Sequence, residues 1–307
     1  MKKVYFLDTV HSVLNERLSN ANYNCIDATK ENIEELREIL SDAYGIVLRS
    51  RFTLNQEILS FCPKLKFIAR SGSGLENIDL EYCVKNQIDV YSSPEGNRKA
   101  VAEHCLGFCL SLLNNFKGAD NDINNGEWLR EKNRGSELSG QCVGIIGYGN
   151  NGKEFAQALN SLNVPVLAHD KYKTGFSEGV IKESSIEEIF QKATLISFHV
   201  PLTEETTYMA DYQFFKRFKA PVLVINISRG KILKTKDLIN ALDEGFVLGA
   251  ALDVLDEESK SFTIEDKNNV LVDLNNRPNV IITPHVAGWT KESYFKLSNV
   301  LADKIIK

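Results

Sequence analysis

The sequence predicts an α/β protein of two doubly wound parallel-sheet domains, and three observations predict it. Short apolar runs of strand character alternate with helical runs from end to end, the pattern of a parallel sheet covered on both faces. The runs form two sets on either side of one long apolar helix. At 307 residues the chain is also long for a single core, so two domains are expected.

In the first set, strands are expected at "KVYFLD", "YNCID", "GIVLRS", "KFIAR" and "IDVYS". Met1-Lys2-Lys3 offers a charged start, but Asp8 ends the apolar run that follows, so the opening reads as a strand and not as a secretion signal. Between the strands lie helical stretches such as Asn32–Leu40, whose Ile33, Leu36, Ile39 and Leu40 fall at helical spacing. A helix over Ala100–Phe116 follows, apolar on more than one stripe and so buried on several sides. The polar stretch Lys117–Gly140, with a lone Trp128, is expected as a loop; helix and loop together suit a domain link or a dimer interface. The second set of strands is "CVGIIG", "PVLAHD", "TLISFH", "VLVINIS", "VLGAALDV" and "NVIITP", with helices at Lys153–Leu162 and Thr235–Glu244.

Composition narrows the function classes. Hydrophobic residues at 43% and charged residues at 25% describe an ordinary soluble globular chain, expected in the cytoplasm. A net charge of −5 offers no electrostatic footprint for nucleic acid or an anionic membrane, and no apolar run approaches the roughly 18 residues of a spanning helix. The six cysteines, Cys25, Cys62, Cys83, Cys105, Cys109 and Cys142, form no C-x-x-C pair and sit mostly among apolar neighbours, as reduced buried thiols do; no metal site is expected.

Gly147-Tyr148-Gly149-Asn150-Asn151-Gly152 is a G-x-G-x-x-G between an apolar strand and an amphipathic helix. The first glycine allows a sharp turn, the second lets backbone N–H groups approach a pyrophosphate, and the third allows close helix–strand packing. The helix N-terminus adds its favourable field for negative charge. Asp170 closes the next strand, where a carboxylate accepts from ribose hydroxyls and repels a 2′-phosphate. That favours NAD over NADP, a preference softened by Lys171 and Lys173. A tight turn and a solvated acid would be the bland account, but strand, loop, helix and acid in register point to a Rossmann-like NAD site.

Open parallel sheets bind ligands beyond the carboxyl ends of their strands. Arg229 follows "VLVINIS", Asp253 follows "VLGAAL" and His285 follows "VIITP", so these side chains gather at one edge. A guanidinium grips a carboxylate bidentately and polarises a neighbouring carbonyl. An imidazole, with its ordinary pKa of roughly 6.5, gives or removes the hydroxyl proton. Glu258 accepts the other imidazole N–H and fixes the tautomer, as the acid of a triad does. Together these suit hydride transfer to or from a 2-hydroxy acid. His199, ending "TLISFH", reaches the same rim as a cofactor-side wall, and His104 in the apolar helix reads as a satisfied core histidine.

With these residues in view, the chain resembles the D-isomer-specific 2-hydroxyacid dehydrogenase family along nearly all its length. The matching stretches are "RSGSGLENIDL", "AVAEHCLGFCLSLL", "LSGQCVGIIGYGNNG", "FHVPLTEETTYM", "VLVINISRGKILKTKDLINALDEG", "GAALDV" and "ITPHVAGWT". The resemblance implies a substrate domain of residues 1–97 plus 287–307, discontinuous in sequence, and an NAD domain of 98–286, with a homodimer through the 100–140 region. It gives Arg229, Glu258 and His285 the family's catalytic roles, and the backbone around Ser73 and Gly74 the substrate carboxylate. Asp253 would meet the nicotinamide carboxamide, and Pro201, Thr206 and Ser228 complete the cofactor side. Two departures stand out: Ser259 follows Glu258 where the family usually has proline, and Asn151 replaces an apolar residue of the glycine loop. Asp256, Glu257 and Glu258 stand in a row, and position selects Glu258; the formate-oxidising branch carries Gln there, which disfavours that reaction.

"GIVLRSRFTLNQEIL" places Arg49 and Arg51 just past a strand. Two residues apart on extended chain they point the same way, so both guanidinium groups are expected to meet one anion. The stretch resembles the phosphoglycerate dehydrogenase branch, which implies 3-phospho-D-glycerate oxidised to 3-phosphohydroxypyruvate with NAD, the first step toward serine. Hydroxypyruvate, glyoxylate or another 2-oxo acid is the alternative within the family, and an NAD-responsive corepressor-like binding protein the alternative outside it. With the chain ending at Lys307 after the last expected helix, no separate serine-binding domain is expected.

Overall fold

Twelve strands are present among the described residues, which in this computed structural model are 2–258, 264 and 269–307. The first five are β1 (Lys2–Phe6), β2 (Tyr23–Asp27), β3 (Gly45–Leu48), β4 (Phe67–Arg70) and β5 (Asp89–Ser92). The next four are β6 (Val143–Ile146), β7 (Val166–His169), β8 (Ile181–Glu183) and β9 (Leu195–Phe198). Then come β10 (Val222–Asn226), β11 (Val247–Leu252) and β12 (Val280–Ile282). They build two sheets, ordered β2-β1-β3-β4-β5 and β12-β11-β10-β9-β6-β7-β8, and the pairs within each run parallel. This is the expected class: two parallel-sheet α/β domains.

The division follows the sheets. One unit holds residues 2–98 and Trp289–Lys307; the other holds Lys99–Glu258, residue 264 and residues 269–288. In the first, alternate strand residues feed two cores. Tyr5, Leu7, Ile46, Leu48 and Ile68 face one side, and Val4, Phe6, Val47, Phe67 and Ala69 the other. The C-terminal helix Lys291–Ile306 brings Leu301 and Ala302 to the second core, so the first domain is discontinuous in sequence. In the second unit the same period of two divides β10, with Val222 and Val224 in one core and Ile225 in the other. Burial on both faces explains why these strands read as unbroken apolar runs.

Strand order reverses direction between β6 and β9 in the larger sheet, and between β1 and β3 in the smaller. Loops diverge at such switch points and leave a crevice beyond the strand ends. The glycine loop leaves β6 and His199 leaves β9, while Asp8 and Arg49 follow β1 and β3.

Two expectations about the middle of the chain are corrected. The expected helix Ala100–Phe116 runs Arg98–Leu113 and stops, because Asn115 adopts a left-handed conformation at φ 49°. Asparagine tolerates that region better than most residues. The expected loop Lys117–Gly140 then opens with a second helix, Phe116–Asn124, whose buried Asp122 accepts hydrogen bonds from Lys132 at 2.7 Å and Asn133 at 2.8 Å. Strand β8 was not expected: it has three residues, lies at the sheet edge and is polar at Lys182 and Glu183.

Candidate functional site

The glycine loop has the shape its residues predict. Gly147 stands at φ +95°, and a Cβ there would lie 2.8 Å from the His199 carbonyl oxygen. A Cβ on Gly152 would run into the Gly147 carbonyl, so the third glycine is needed for helix and strand to meet. Gly149 caps the helix Asn150–Ser161, and the space its side chain would occupy is open. That open face, at the free N–H groups of a helix start, fits a pyrophosphate.

Asp170 ties this loop to the next strand. Its carboxylate accepts the Tyr148 N–H at 2.8 Å and the Tyr172 N–H at 2.9 Å. The two neighbouring lysines are occupied: Lys171 pairs with Glu205 at 2.5 Å, and Lys173 donates to the Tyr148 carbonyl at 2.9 Å. Tyr148 stacks on Phe176 with ring centroids 4.1 Å apart. Asn150 and Asn151 form the first turn of the helix, and the Asn151 side-chain oxygen is buried with no hydrogen-bond partner. Thr206 accepts from the Thr203 N–H at 2.8 Å and donates to the Pro201 carbonyl at 2.6 Å, which folds the segment after β9 into a turn.

His199 lies further in than a wall position implies. It is buried, its Nε2 pairs with Ser197 Oγ at 2.8 Å, and its ring tilts over Phe155 at 5.6 Å. Burial pushes its pKa down to about 3, so the imidazole stays neutral behind the glycine loop.

The edge formed by β10, β11 and β12 carries the acid–base groups. Asn226, the buried last residue of β10, accepts from Ser228 N–H at 3.1 Å and Ser228 Oγ at 2.8 Å, and donates to the Arg229 carbonyl at 3.0 Å. This knot sets the turn from which Arg229 projects, and Arg229 Nη1 donates to the Ser228 carbonyl at 2.7 Å. Gly230 has no room for a side chain, because a Cβ would meet the Leu255 backbone; the loops after β10 and β11 are thereby pressed together.

His285 stands at φ +55°, a left-handed conformation uncommon outside glycine and concentrated at functional sites. Its Nδ1 lies 2.6 Å from Glu258 Oε1, with side-chain exposures of 21% and 11%. A carboxylate only accepts, so Nδ1 carries the shared hydrogen. The neighbouring acids do something else. Asp256 accepts from the Thr235 N–H and hydroxyl, and Glu257 approaches the same hydroxyl at 3.4 Å, its pKa raised by burial to about 7. Of three acids in a row, Glu258 is the one that meets the histidine. Ser259 lies outside the described residues.

Asp253 is buried and heavily used. Its Oδ1 accepts from Thr283 Oγ1 at 2.5 Å and the Val286 N–H at 2.8 Å, and its Oδ2 accepts the Ala287 N–H at 2.8 Å. Its carbonyl accepts the His285 N–H at 2.8 Å. His104, expected as a satisfied core histidine, is half-buried with its Nε2 3.1 Å from Thr283 Oγ1. Asn226, Thr283 and His104 were not singled out as site residues. The available signal was a polar residue ending or following an otherwise apolar strand, "VLVIN" and "VIIT".

In the smaller unit, Ser73 Oγ donates to Asn97 Oδ1 at 3.0 Å, and Gly72 is fixed against Ser93 by bonds in both directions. The Arg70 guanidinium fills the space a Gly72 side chain would take, a cation at this rim that sequence reasoning missed.

The expected pairing of Arg49 with Arg51 is corrected. Strand β3 ends at Leu48 and the chain bends, because Asp8 accepts both the Arg49 N–H at 2.6 Å and the Arg51 N–H at 3.2 Å. Asn77 holds the other side of the bend through the Arg49 and Phe52 carbonyls. Alternation therefore fails, and the two side chains part. Arg51 donates to the Thr29 carbonyl and, at 2.8 Å, to the Glu31 carbonyl. Arg49 lies over the Trp289 ring at 3.9 Å, and burial lowers its pKa. The Arg51 guanidinium is committed to backbone carbonyls, and the Arg49 guanidinium packs on the Trp289 face.

Residues 106–287 match the family model described as D-isomer specific 2-hydroxyacid dehydrogenase, NAD binding domain. The chain is 32% identical over 283 residues to the D-3-phosphoglycerate dehydrogenase of Methanocaldococcus jannaschii, spanning 91% of this chain and 52% of that protein. It is 30% identical over 309 residues to the Homo sapiens D-3-phosphoglycerate dehydrogenase, spanning 100% and 56%. The chain thus covers about half the length of these curated relatives. Among solved structures, the D-lactate dehydrogenase from Aquifex aeolicus, complexed with NAD and lactic acid, superposes with a TM-score of 0.84 at 28% identity, over 99% of this chain and 94% of that one. A D-2-hydroxyisocaproate dehydrogenase superposes at 0.85 with 22% identity, over 100% and 96%, a likeness of fold.

Proposed function

The chain belongs to the D-isomer-specific 2-hydroxyacid dehydrogenase family and carries its NAD binding domain, and from that membership we propose that it interconverts a small D-2-hydroxy acid and its 2-oxo acid, with 3-phospho-D-glycerate as the favoured substrate. The observation that carries the reading is the 2.6 Å bond from His285 to Glu258 on a strained, deliberately held backbone. In the oxidative direction His285 Nε2 takes the hydroxyl proton, while Glu258 holds the ring and stabilises its charged form. Arg229 grips the substrate carboxylate and polarises the adjacent C–O bond. NAD supplies the hydride acceptor. Gly147, Gly149 and Gly152 open the backbone to its pyrophosphate, and Asp170 receives the ribose hydroxyls.

The phosphate assignment rests on relatedness to D-3-phosphoglycerate dehydrogenases and on Arg49, a cation with its face covered by Trp289. A reductase of an unphosphorylated 2-oxo acid is the second reading, favoured by the diversion of Arg51 to backbone carbonyls. The test is NADH consumption by the purified protein across 3-phosphohydroxypyruvate, hydroxypyruvate, glyoxylate and pyruvate. We expect kcat/KM for the phosphorylated acid to exceed that for hydroxypyruvate at least about tenfold, the effect of roughly one charge-assisted contact. Equal values select the second reading, and no turnover of any acid defeats both.

We place the enzyme in the cytoplasm as a homodimer through the 100–140 region, where Phe116, Ile123 and Trp128 are exposed. Sedimentation velocity on the wild type and on Trp128→Ser tests the assembly.

A further inference from the structure

We propose that Thr283 is a positioning residue for His285, the middle member of a relay that runs from His104 through the Thr283 hydroxyl to Asp253; this deepens the dehydrogenase reading and rests on it. Hydrogen accounting makes the relay directional. Thr283 Oγ1 lies 2.5 Å from Asp253 Oδ1 and 3.1 Å from His104 Nε2. A hydroxyl has one hydrogen to give, and a carboxylate can only accept, so that hydrogen goes to Asp253. The hydroxyl's lone pair then accepts from His104, which fixes the Nε2–H tautomer. His104 is half-buried in the helix Arg98–Leu113, edge-on to Phe108 at 4.4 Å, and burial lowers its pKa.

Asp253 sits at the other end, 2% exposed. It brackets His285: its carbonyl takes the His285 N–H, and its carboxylate takes the N–H groups of the next two residues, Val286 and Ala287. A β-carboxylate free to swing about its side-chain torsions could not hold two successive amides, and Thr283 removes that freedom. The left-handed turn at His285, unfavourable for a non-glycine residue, persists because these bonds impose it. The same turn sets where the imidazole goes, and with it the bond to Glu258 and the direction of Nε2. The effect of His104 and Thr283 on the imidazole passes through Asp253 and the backbone.

The test compares Thr283→Val, which keeps the shape and deletes the hydroxyl, with Thr283→Ser, which restores it. Reduction of the best 2-oxo acid should lose about 10–100-fold in kcat in Thr283→Val, the scale of a misplaced reacting group. NADH affinity by fluorescence should stay within about threefold, and Thr283→Ser should recover most of the loss. Should Thr283→Val fail to fold, His104→Leu takes its place, with a smaller loss in kcat that His104→Gln, retaining a side-chain N–H donor, recovers. The second measurement is histidine ¹⁵N NMR, tractable because the sequence has five histidines. His104 should report the Nε2–H form in the wild type, assigned by its disappearance in His104→Leu, and the His285 Nδ1–H signal should shift in the hydroxyl-less variant. A wild-type kcat in Thr283→Val, a Thr283→Ser variant equally impaired, or an Nδ1–H form of His104 would each overturn the relay. Because the NMR arm needs no turnover, a wild type inert toward every 2-oxo acid sinks the dehydrogenase reading while the tautomer still decides the relay.

Discussion

His285 Nδ1 and Glu258 Oε1 lie 2.6 Å apart, and the carboxylate receives the imidazole N–H with most of both side chains withdrawn from water. The bond fixes Nδ1 as donor, and in the proposed reaction Nε2 exchanges the proton with substrate. His285→Ala should therefore lower kcat by about 10²–10⁴-fold, the worth of general acid–base catalysis, while NADH binding survives. Glu258→Gln keeps the shape but removes the charge that stabilises the imidazolium. Its kcat should fall by about tenfold or more while NADH affinity holds. Steady-state kinetics and NADH fluorescence titration check both variants, and a wild-type kcat in Glu258→Gln would separate Glu258 from the proton transfer.

The two cations near the end of β3 make opposite predictions. Arg51 is tied to carbonyl oxygens at Thr29 and Glu31, so Arg51→Ala should cost stability, about 1–3 kcal/mol for charge-assisted bonds, and spare discrimination for phosphate. Arg49 has Trp289 over its face, and in the proposed reaction its donors serve the phosphate, so Arg49→Ala should raise KM for a phosphorylated acid about tenfold or more. Urea titrations and paired kinetics with hydroxypyruvate and its phosphate distinguish the two. Loss of phosphate preference in Arg51→Ala alone would reverse the assignment.

These arginines also mark where the sequence stops being legible. Strands such as "VLVIN" and "CVGII" are readable because burial on both faces makes them continuously apolar, and the glycine loop because each glycine answers a local demand. Arg51 is different. Its direction is decided by Asp8 and Asn77, distant in the chain, which bend the backbone just where alternation was assumed to continue. The helix Phe116–Asn124 was hidden for a related reason: it buries a polar residue, Asp122, satisfied by Lys132 and Asn133 further along, and leaves its apolar Phe116 and Ile123 exposed. Glu258 was chosen from three consecutive acids by position, and the geometry that separates it from Asp256 and Glu257 is the placement of Thr235 and His285. Pairings of this kind become visible only when strands are brought side by side.

Asp170 would join cofactor choice to the shape of the glycine loop, since the carboxylate proposed to receive the ribose hydroxyls also accepts the Tyr148 N–H. Removing it should have two effects. Discrimination against NADP should fall, with the NADP/NAD ratio of kcat/KM rising about tenfold or more as the charge that repels a 2′-phosphate is lost. NAD affinity should fall as well, because the loop loses an anchor. Lys171 adds little to NADP binding while Glu205 holds it, so the double change Asp170→Ala with Glu205→Gln should favour NADP further than Asp170→Ala alone. Kinetics with both cofactors decide this, and an unchanged ratio would remove Asp170 from cofactor selection.

His199 makes a prediction about stability rather than rate. Burial behind the glycine loop depresses its pKa to about 3, whereas the unfolded chain offers an ordinary imidazole near 6.5. The sign follows from linkage: between those values the unfolded state binds a proton that the native state refuses, so stability is present above about pH 6.5 and is lost as pH falls through the window toward about 3. The slope approaches about 1.4 kcal/mol per pH unit in the middle of that range. His199→Gln, which cannot titrate, should lower stability at pH 7 through its lost packing on Phe155 and its changed bond to Ser197. Its loss of stability from pH 6 to pH 4 should nevertheless be shallower than that of the wild type by about that slope. Urea unfolding at half-unit pH steps measures the difference, and parallel curves would mean that the native protein takes up the proton as readily as the unfolded chain.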